Sequence, residues 1–344
     1  MTGVALRSIL SVAVALASGA GVPAAVQEHP RFRSSVDLVS VTAVVRDRKG
    51  RFVEDLSRQD FEILDGGQSR PILDFRSERD GPVRLAVLLD ISGSMKMGQR
   101  ALDARKVAGH IFASLGPEDL AAVYTFDTAL TQAQAFTSSQ EALLNALEDV
   151  EPPYGQTSLY DAIAETARAV AAAAISGGPG ALQRSAVAVL TDGVDTRSRL
   201  TSGEVSMAAS GIDVPVYIVA VAAGVDDPRE TGRRAQAERA GDLEQLARST
   251  GGDLFIASAP AHASQAARQM VSELRHQYFL AFEASNRPGW RPLEVRTRRS
   301  SLVVRARTGY SGGSALPEQT SSGRLISGPA MSGGCRTCTG RRQS

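Results

Sequence analysis

Apolar and polar positions divide the chain into three stretches. In VDLVSVTAVVRDRKGRFV, Val39, Val41, Ala43 and Val45 alternate with polar or smaller neighbours. That period of two predicts a β-hairpin turning at Asp47-Arg48-Lys49-Gly50. DFEILDGGQSRPILDFRSE predicts two more short strands around Gly66-Gly67. Residues 34–78 thus read as a small N-terminal β segment.

From Val83 the pattern changes. Apolar runs of strand length (LAVLLD, LAAVYTF, SAVAVLTD, VPVYIVAVA, DLFIAS) alternate with helical stretches. Between Met97 and Leu115, residues Ala101, Ala104, Val107, Ala108, Ile111, Phe112 and Leu115 share one helical face, and Gly116-Pro117 ends the helix. Further helices are expected in SQEALLNALEDV with Ser139 as N-cap, in the alanine-rich 158–175, in GDLEQLARSTGG and over 262–275. Strands buried on both faces and separated by helices imply a doubly wound, mostly parallel α/β sheet over 83–275.

The chain then returns to β over 276–310, with strands in QYFLAFEA, WRPLEVRTR and SLVVRAR and a turn at Asn286-Arg287-Pro288-Gly289. The flanking strands form either one β domain or two separate appendages. Residues 311–344 are rich in glycine and serine and read as a disordered tail.

At the other end, Arg7 precedes an apolar stretch from Ile9 to Ala17, followed by small residues. This is the pattern of a secretory signal peptide over 1–25, too short to span a bilayer comfortably. No cysteine lies near the cleavage region, and no later stretch is long and apolar enough to cross a membrane. The mature protein is therefore expected to be exported, periplasmic or extracellular, with an uncleaved membrane anchor as the alternative.

The 344 residues carry a formal net charge of +1, with 22% charged and 43% hydrophobic residues. That balance gives no electrostatic case for nucleic acid. The two cysteines, Cys335 and Cys338, make a single Cys-x-x-Cys, which is half of a zinc site. A local disulfide is open to them in an oxidising compartment. The four histidines are scattered, and none forms a defensible Ser/His/Asp arrangement. Trp290 follows a turn and reads as a packing anchor of the β segment.

Oxygen-bearing side chains gather at strand ends. Asp90, Ser92 and Ser94 follow the run Ala86 to Leu89 at alternate positions. Thr157 lies after Gly155 in YGQTSLYDAI, and Asp192 ends VAVLTD. In a doubly wound sheet ligands bind at the carboxyl ends of strands. Carboxylates and hydroxyls without His or Cys suit Mg²⁺, Mn²⁺ or Ca²⁺ better than zinc. Two carboxylates nearly neutralise a divalent ion, and the weak hydroxyls leave it electrophilic, so a partner's carboxylate can replace a bound water. The bland alternative is that Asp90 and the serines cap a turn. Asp127 and Asp195 read as solvated loop aspartates, with modulation of an ion or a partner contact as the alternative.

DISGSM, the threonine of GQTSLYDA and the aspartate of LTDG resemble the three motif loops of the von Willebrand factor type A domain. Its joint site is the metal-ion-dependent adhesion site. The resemblance covers about 83–275. It implies that Ser92 and Ser94 ligate an ion directly, Thr157 directly or through water, and Asp90 and Asp192 mainly through water. The threonine loop of the family often has two glycines; here it reads Gly155-Gln156. The flanking segments DLSRQDFEILDGG and ELRHQYFLAFEA are similar to those of secreted bacterial proteins with related domains.

The expectation is a non-enzymatic binding protein that takes a protein partner presenting Asp or Glu. A structural role in an envelope complex, with a loop-stabilising ion, is the alternative. A haloacid-dehalogenase-like phosphatase needs a second acid two residues after the first, and position 92 is serine. Serine hydrolysis at Ser92 would need a G-x-S-x-G elbow and a paired histidine, but Ser92 is preceded by Ile91 and no histidine is placed for it; a P-loop is absent from the sequence.

Overall fold

The computed structural model describes residues 38–77, 81–150, 154–175, 184–221, 230–257, 260–285 and 287–312. The expected leader at 1–25 and the pair Cys335 and Cys338 lie outside the described residues. The N-terminal strands are β1 (Leu38–Arg46), β2 (Phe61–Asp65), β3 (Gln68–Arg70) and β4 (Ile72–Arg76). Then follow β5 (Val83–Asp90), α1 (Arg100–Ala113), β6 (Leu120–Phe126), β7 (Leu130–Thr137), α2 (Gln140–Glu148) and α3 (Leu159–Ile175). Next come β8 (Arg184–Thr191), α4 (Ser202–Gly211), β9 (Val216–Ala220), α5 (Glu230–Ser249), β10 (Leu254–Ile256) and α6 (Pro260–Arg275). The chain closes with β11 (Gln277–Glu283), β12 (Gly289–Thr297), β13 (Val303–Ala306) and β14 (Gly309–Gly312).

The middle of the chain forms a six-stranded sheet ordered β10-β9-β8-β5-β6-β7. All its neighbours are parallel except β7, which runs antiparallel on the edge beside β6. Helices cover both faces, so side chains alternate between two cores. Val83, Leu85, Val87 and Leu89 of β5 pack with Val107, Ile111 and Phe112 of α1 and with Ala267, Met270 and Leu274 of α6. Ala86 and Leu88 point the other way, to Leu159 and Ile163 of α3, Val205 of α4 and Leu246 of α5. Burial on both faces explains why β8 is hidden along its whole length. The chain leaves β5 toward β6 on one side and reaches β8 on the other. The carboxyl ends of β5 and β8 therefore flank the point where strand order reverses, which is where such sheets hold ligands.

The flanks pair into one β domain rather than two appendages. β13-β1-β11-β4 and β14-β12-β2-β3 are four-stranded antiparallel sheets, each mixing strands from before and after the α/β unit. Val41, Ala43 and Leu280 of one sheet and Phe61, Ile63 and Val295 of the other share a single apolar cluster. Trp290 lies in β12, and an added Cβ at Gly309 would run into its ring.

Several local expectations change. The first hairpin has almost no second arm, only a bridge between Arg46 and Phe52. The segment after Gly66-Gly67 makes two strands, because Pro71 lacks an N–H and separates β3 from β4, which join different sheets. β7 was not expected: LTQAQAFT is an exposed edge strand with little apolar signal. Nor was α4, which buries only Val205, Ala209 and Ser210, although a capping box of Thr201 and Glu204 starts it. β14 extends order to Gly312, into the start of the expected tail.

Ion pairs tie the β domain to the α/β unit. Glu273 of α6 is fully buried and accepts from Arg46 of β1 and Arg305 of β13. Arg305 also donates to Asp253. Arg307 donates to the Ser210 and Ser40 carbonyls, 3.4 Å from Asp213 by its Nε.

Candidate metal centre

β5 ends on Asp90, which is 2% exposed. Its Oδ1 accepts from the Ser92 N–H at 2.9 Å, and its Oδ2 from the Thr191 hydroxyl at 2.6 Å. Burial raises the Asp90 pKa to about 6, against the lowering effect of the Ser92 and Thr191 hydrogen bonds; the charge of Asp192 adds to the rise.

After Asp90 the chain makes a short 3-10 turn over Gly93–Lys96. Ser92 stands at its N-cap position, yet its side chain makes no capping bond. Its hydroxyl instead lies 3.2 Å from the Ser94 hydroxyl. Ser92 is fully buried and Ser94 partly so. Asp90 thus caps the turn, as the bland reading supposed, while the two serine hydroxyls do not.

The threonine loop docks directly on this turn. Tyr154 donates its N–H to the Ile91 carbonyl at 2.8 Å, and Gly93 donates to the Gly155 carbonyl at 2.9 Å. Gly155 has φ +87°, in the region that favours glycine. A Cβ on Gly93 would lie 2.9 Å from the Gly155 oxygen, so the close approach also needs glycine there. Thr157, 2% exposed, follows. Its N–H donates to the Thr196 hydroxyl at 2.9 Å, and its carbonyl accepts from the N–H groups of Thr196 and Arg197. Its backbone is thus tied to the segment after Asp192. Among the described residues its hydroxyl has no hydrogen-bond partner.

Asp192 has partners on both carboxylate oxygens. Its Oδ1 accepts from Val194 N–H at 3.2 Å, and its Oδ2 forms an ion pair with Arg100 Nη1 at 2.8 Å. Arg100 Nη1 also lies 3.2 Å from the Ser94 carbonyl, so it bridges the first and third loops. Asp127 accepts from Ala129 N–H at 2.9 Å inside its own turn. Asp195 accepts from Leu159 N–H at 2.8 Å and the Ser198 hydroxyl at 2.6 Å, which makes it a cap for α3. His110 is exposed on α1, and His276 stacks on Phe52 and faces Glu54 in the β domain.

Hydrogen bonds therefore join the loops bearing Asp90, Ser92, Ser94, Thr157 and Asp192. Sequence reasoning missed Thr191, Thr196 and Arg100. Thr191 carried a signal: a polar side chain ending a strand buried throughout needs a partner. For Arg100 there was none, since its contacts cross between loops.

The donor set fits a hard cation. Neighbouring ligands of an octahedral ion at about 2.1 Å stand about 3.0 Å apart. The Ser92–Ser94 hydroxyl separation of 3.2 Å is close to that value. No group of three or more His, Cys, Asp or Glu side chains able to hold a metal occurs among the described residues, so a centre here depends on hydroxyls.

Residues 85–194 match the family model described as von Willebrand factor type A domain, so the chain carries such a domain. The matched segment spans all five of these residues. None of the curated proteins matches the chain. Among solved structures, the conserved hypothetical protein BatB from Bacteroides thetaiotaomicron is 19% identical, covering 56% of this chain and 98% of its own, with a TM-score of 0.43. A von Willebrand factor type A protein from Catenulispora acidiphila is 12% identical, covering 80% and 75%, with a TM-score of 0.44. Proximal thread matrix protein 1 from the mussel byssus, with a zinc-occupied MIDAS motif, is 19% identical, covering 61% and 49%, with a TM-score of 0.44.

Proposed function

We propose that the protein is an exported binding module that captures a partner protein through a divalent ion. Residues 83–275 form the binding domain in this reading, and the β domain of the flanks carries it. Ser92, Ser94 and Thr157 would offer hydroxyl oxygens, and Asp90 and Asp192 would supply charge, for Mg²⁺, Mn²⁺ or Ca²⁺. A bound ion of this kind supplies an electrophilic centre whose waters an Asp or Glu side chain can replace.

One observation carries the reading: Ser92 and Ser94 bring two hydroxyls within 3.2 Å of each other beside Asp90, and neither serves as a helix cap. The rim adds support for a protein partner. Tyr154 is 76% exposed and Met97 53% exposed. Lys96 Nζ stands 5.0 Å over the Tyr154 ring. An acidic segment with an apolar neighbour would find both charge and apolar area there. Binding rather than hydrolysis is favoured because the hydroxyl of Ser92 faces another hydroxyl and not a base.

The test is capture from an envelope extract on immobilised protein, with Mg²⁺ present or with chelator. Retention of a specific protein with Mg²⁺ and its loss with chelator or with Asp90→Ala supports the reading. Capture that is indifferent to chelator argues for a structural role instead.

A further inference from the structure

Arg100 has no part in the function proposed above, yet it occupies a decisive place. It is the first residue of α1, and its guanidinium reaches back over the turn that carries Ser94. Nη1 lies 2.8 Å from Asp192 Oδ2 and 3.2 Å from the Ser94 carbonyl. A positive charge therefore already sits on a carboxylate that a divalent ion would use. The two side chains are 16% and 4% exposed, so water screens the pair only weakly. Arginine keeps its charge at every physiological pH. Its seat is incomplete, because Nε is buried without a hydrogen-bond partner among the described residues. Among the described residues Nη1 alone makes the guanidinium's polar contacts, with the Met97 sulfur 3.7 Å away as a weak third.

We infer that Arg100 is a built-in competitor for the cation: it neutralises Asp192 in the metal-free protein and holds down the affinity for a divalent ion. The inference rests on the reading of this site as a metal centre. Two positive centres cannot share Asp192 without repelling each other, so an arriving ion has to displace the guanidinium or bind against its charge. The metal-free loops in turn remain joined, because Arg100 bridges the Ser94 turn and Asp192. Loading would thereby depend on the local concentration of the ion, and the site would stay closed to weakly held cations.

The test is Mn²⁺ binding, followed by the electron paramagnetic resonance of the free ion, at one neutral pH and constant ionic strength. The full chain is compared with Arg100→Gln and Arg100→Lys. Arg100→Gln is expected to bind Mn²⁺ at least about tenfold more tightly, whereas Arg100→Lys, which keeps the charge, stays within about threefold of the parent. Adding Ser94→Ala to Arg100→Gln removes the gain, which locates the ion. The metal-free Arg100→Gln protein also melts at a lower temperature, since Asp192 loses its partner. Equal Mn²⁺ affinity in parent and Arg100→Gln, or weaker binding in the variant, overturns the role of Arg100 and leaves the metal centre standing. Absence of binding in both proteins overturns the metal centre and this inference together.

Discussion

Thr191 donates its hydroxyl proton to Asp90 Oδ2 across 2.6 Å, joining the carboxyl ends of β8 and β5. The same hydroxyl accepts from Gly193 N–H at 3.0 Å. Thr191 is fully buried, so both bonds lie out of water. Thr191→Val keeps the shape and deletes both. The variant should lose about 1–3 kcal/mol, the usual cost of a buried polar group left without its partner. Thr191→Ser should recover most of it, and urea denaturation of the metal-free proteins measures both.

Gly93 and Gly155 set how closely the first two loops approach. Gly93→Ala places a methyl group 2.9 Å from the Gly155 carbonyl oxygen, so one loop has to move. A loss of about 1–3 kcal/mol is expected from the overpacking, together with weaker ion binding. An unchanged melting temperature and an unchanged Mg²⁺ affinity in Gly93→Ala would contradict the tight docking.

The buried Asp90 gives the metal-free protein a pH dependence of unusual sign. Its folded pKa is raised from 3.8 to about 6, mainly by burial. Between those values the folded state binds the extra proton, so stability falls as pH rises from about 4 to about 6. Full ionisation costs on the order of 3 kcal/mol relative to the protonated form. Protons also compete with a cation, so Mg²⁺ affinity should climb over the same window. Asp90→Asn should flatten this part of the stability profile, which denaturation at several pH values checks.

Glu273 joins the two parts of the fold, since it receives Arg46 from β1 and Arg305 from β13 while fully buried. Glu273→Ala leaves two arginines facing an emptied site. Breaking buried pairs in this way costs about 3–5 kcal/mol, and the partial exposure of both arginines points to the lower end. Calorimetry should show a lower melting temperature, while Mn²⁺ affinity, set at the carboxyl ends of the strands, stays as it was.

The α/β unit was legible because strands hidden on both faces need apolar middles, as Leu85 to Leu89 of β5 and Ala186 to Leu190 of β8 provide. The β domain was legible only as strands. Which flank pairs with which depends on contacts such as Val41 with Leu280 in register, separated by most of the chain. β7 and α4 escaped because an exposed edge and a helix with few buried residues leave little apolar period. At the site, the oxygen-bearing residues stand out beside apolar runs, since nothing in a strand core calls for Asp90 or Ser92. Arg100 does not stand out, because a long side chain at a helix start is ordinary until its partner across the loops is known.

In the proposed function, hydroxyls and carboxylates from three loops hold one divalent ion. The most direct test is calorimetric titration of Mg²⁺ or Mn²⁺ into the protein and into the Ser92→Ala, Ser94→Ala double variant. One saturable site is expected in the parent and none in the double variant, with circular dichroism unchanged because neither serine belongs to an apolar core cluster. Equal binding in both proteins, or no binding in the parent under conditions where Arg100→Gln also fails to bind, contradicts this reading.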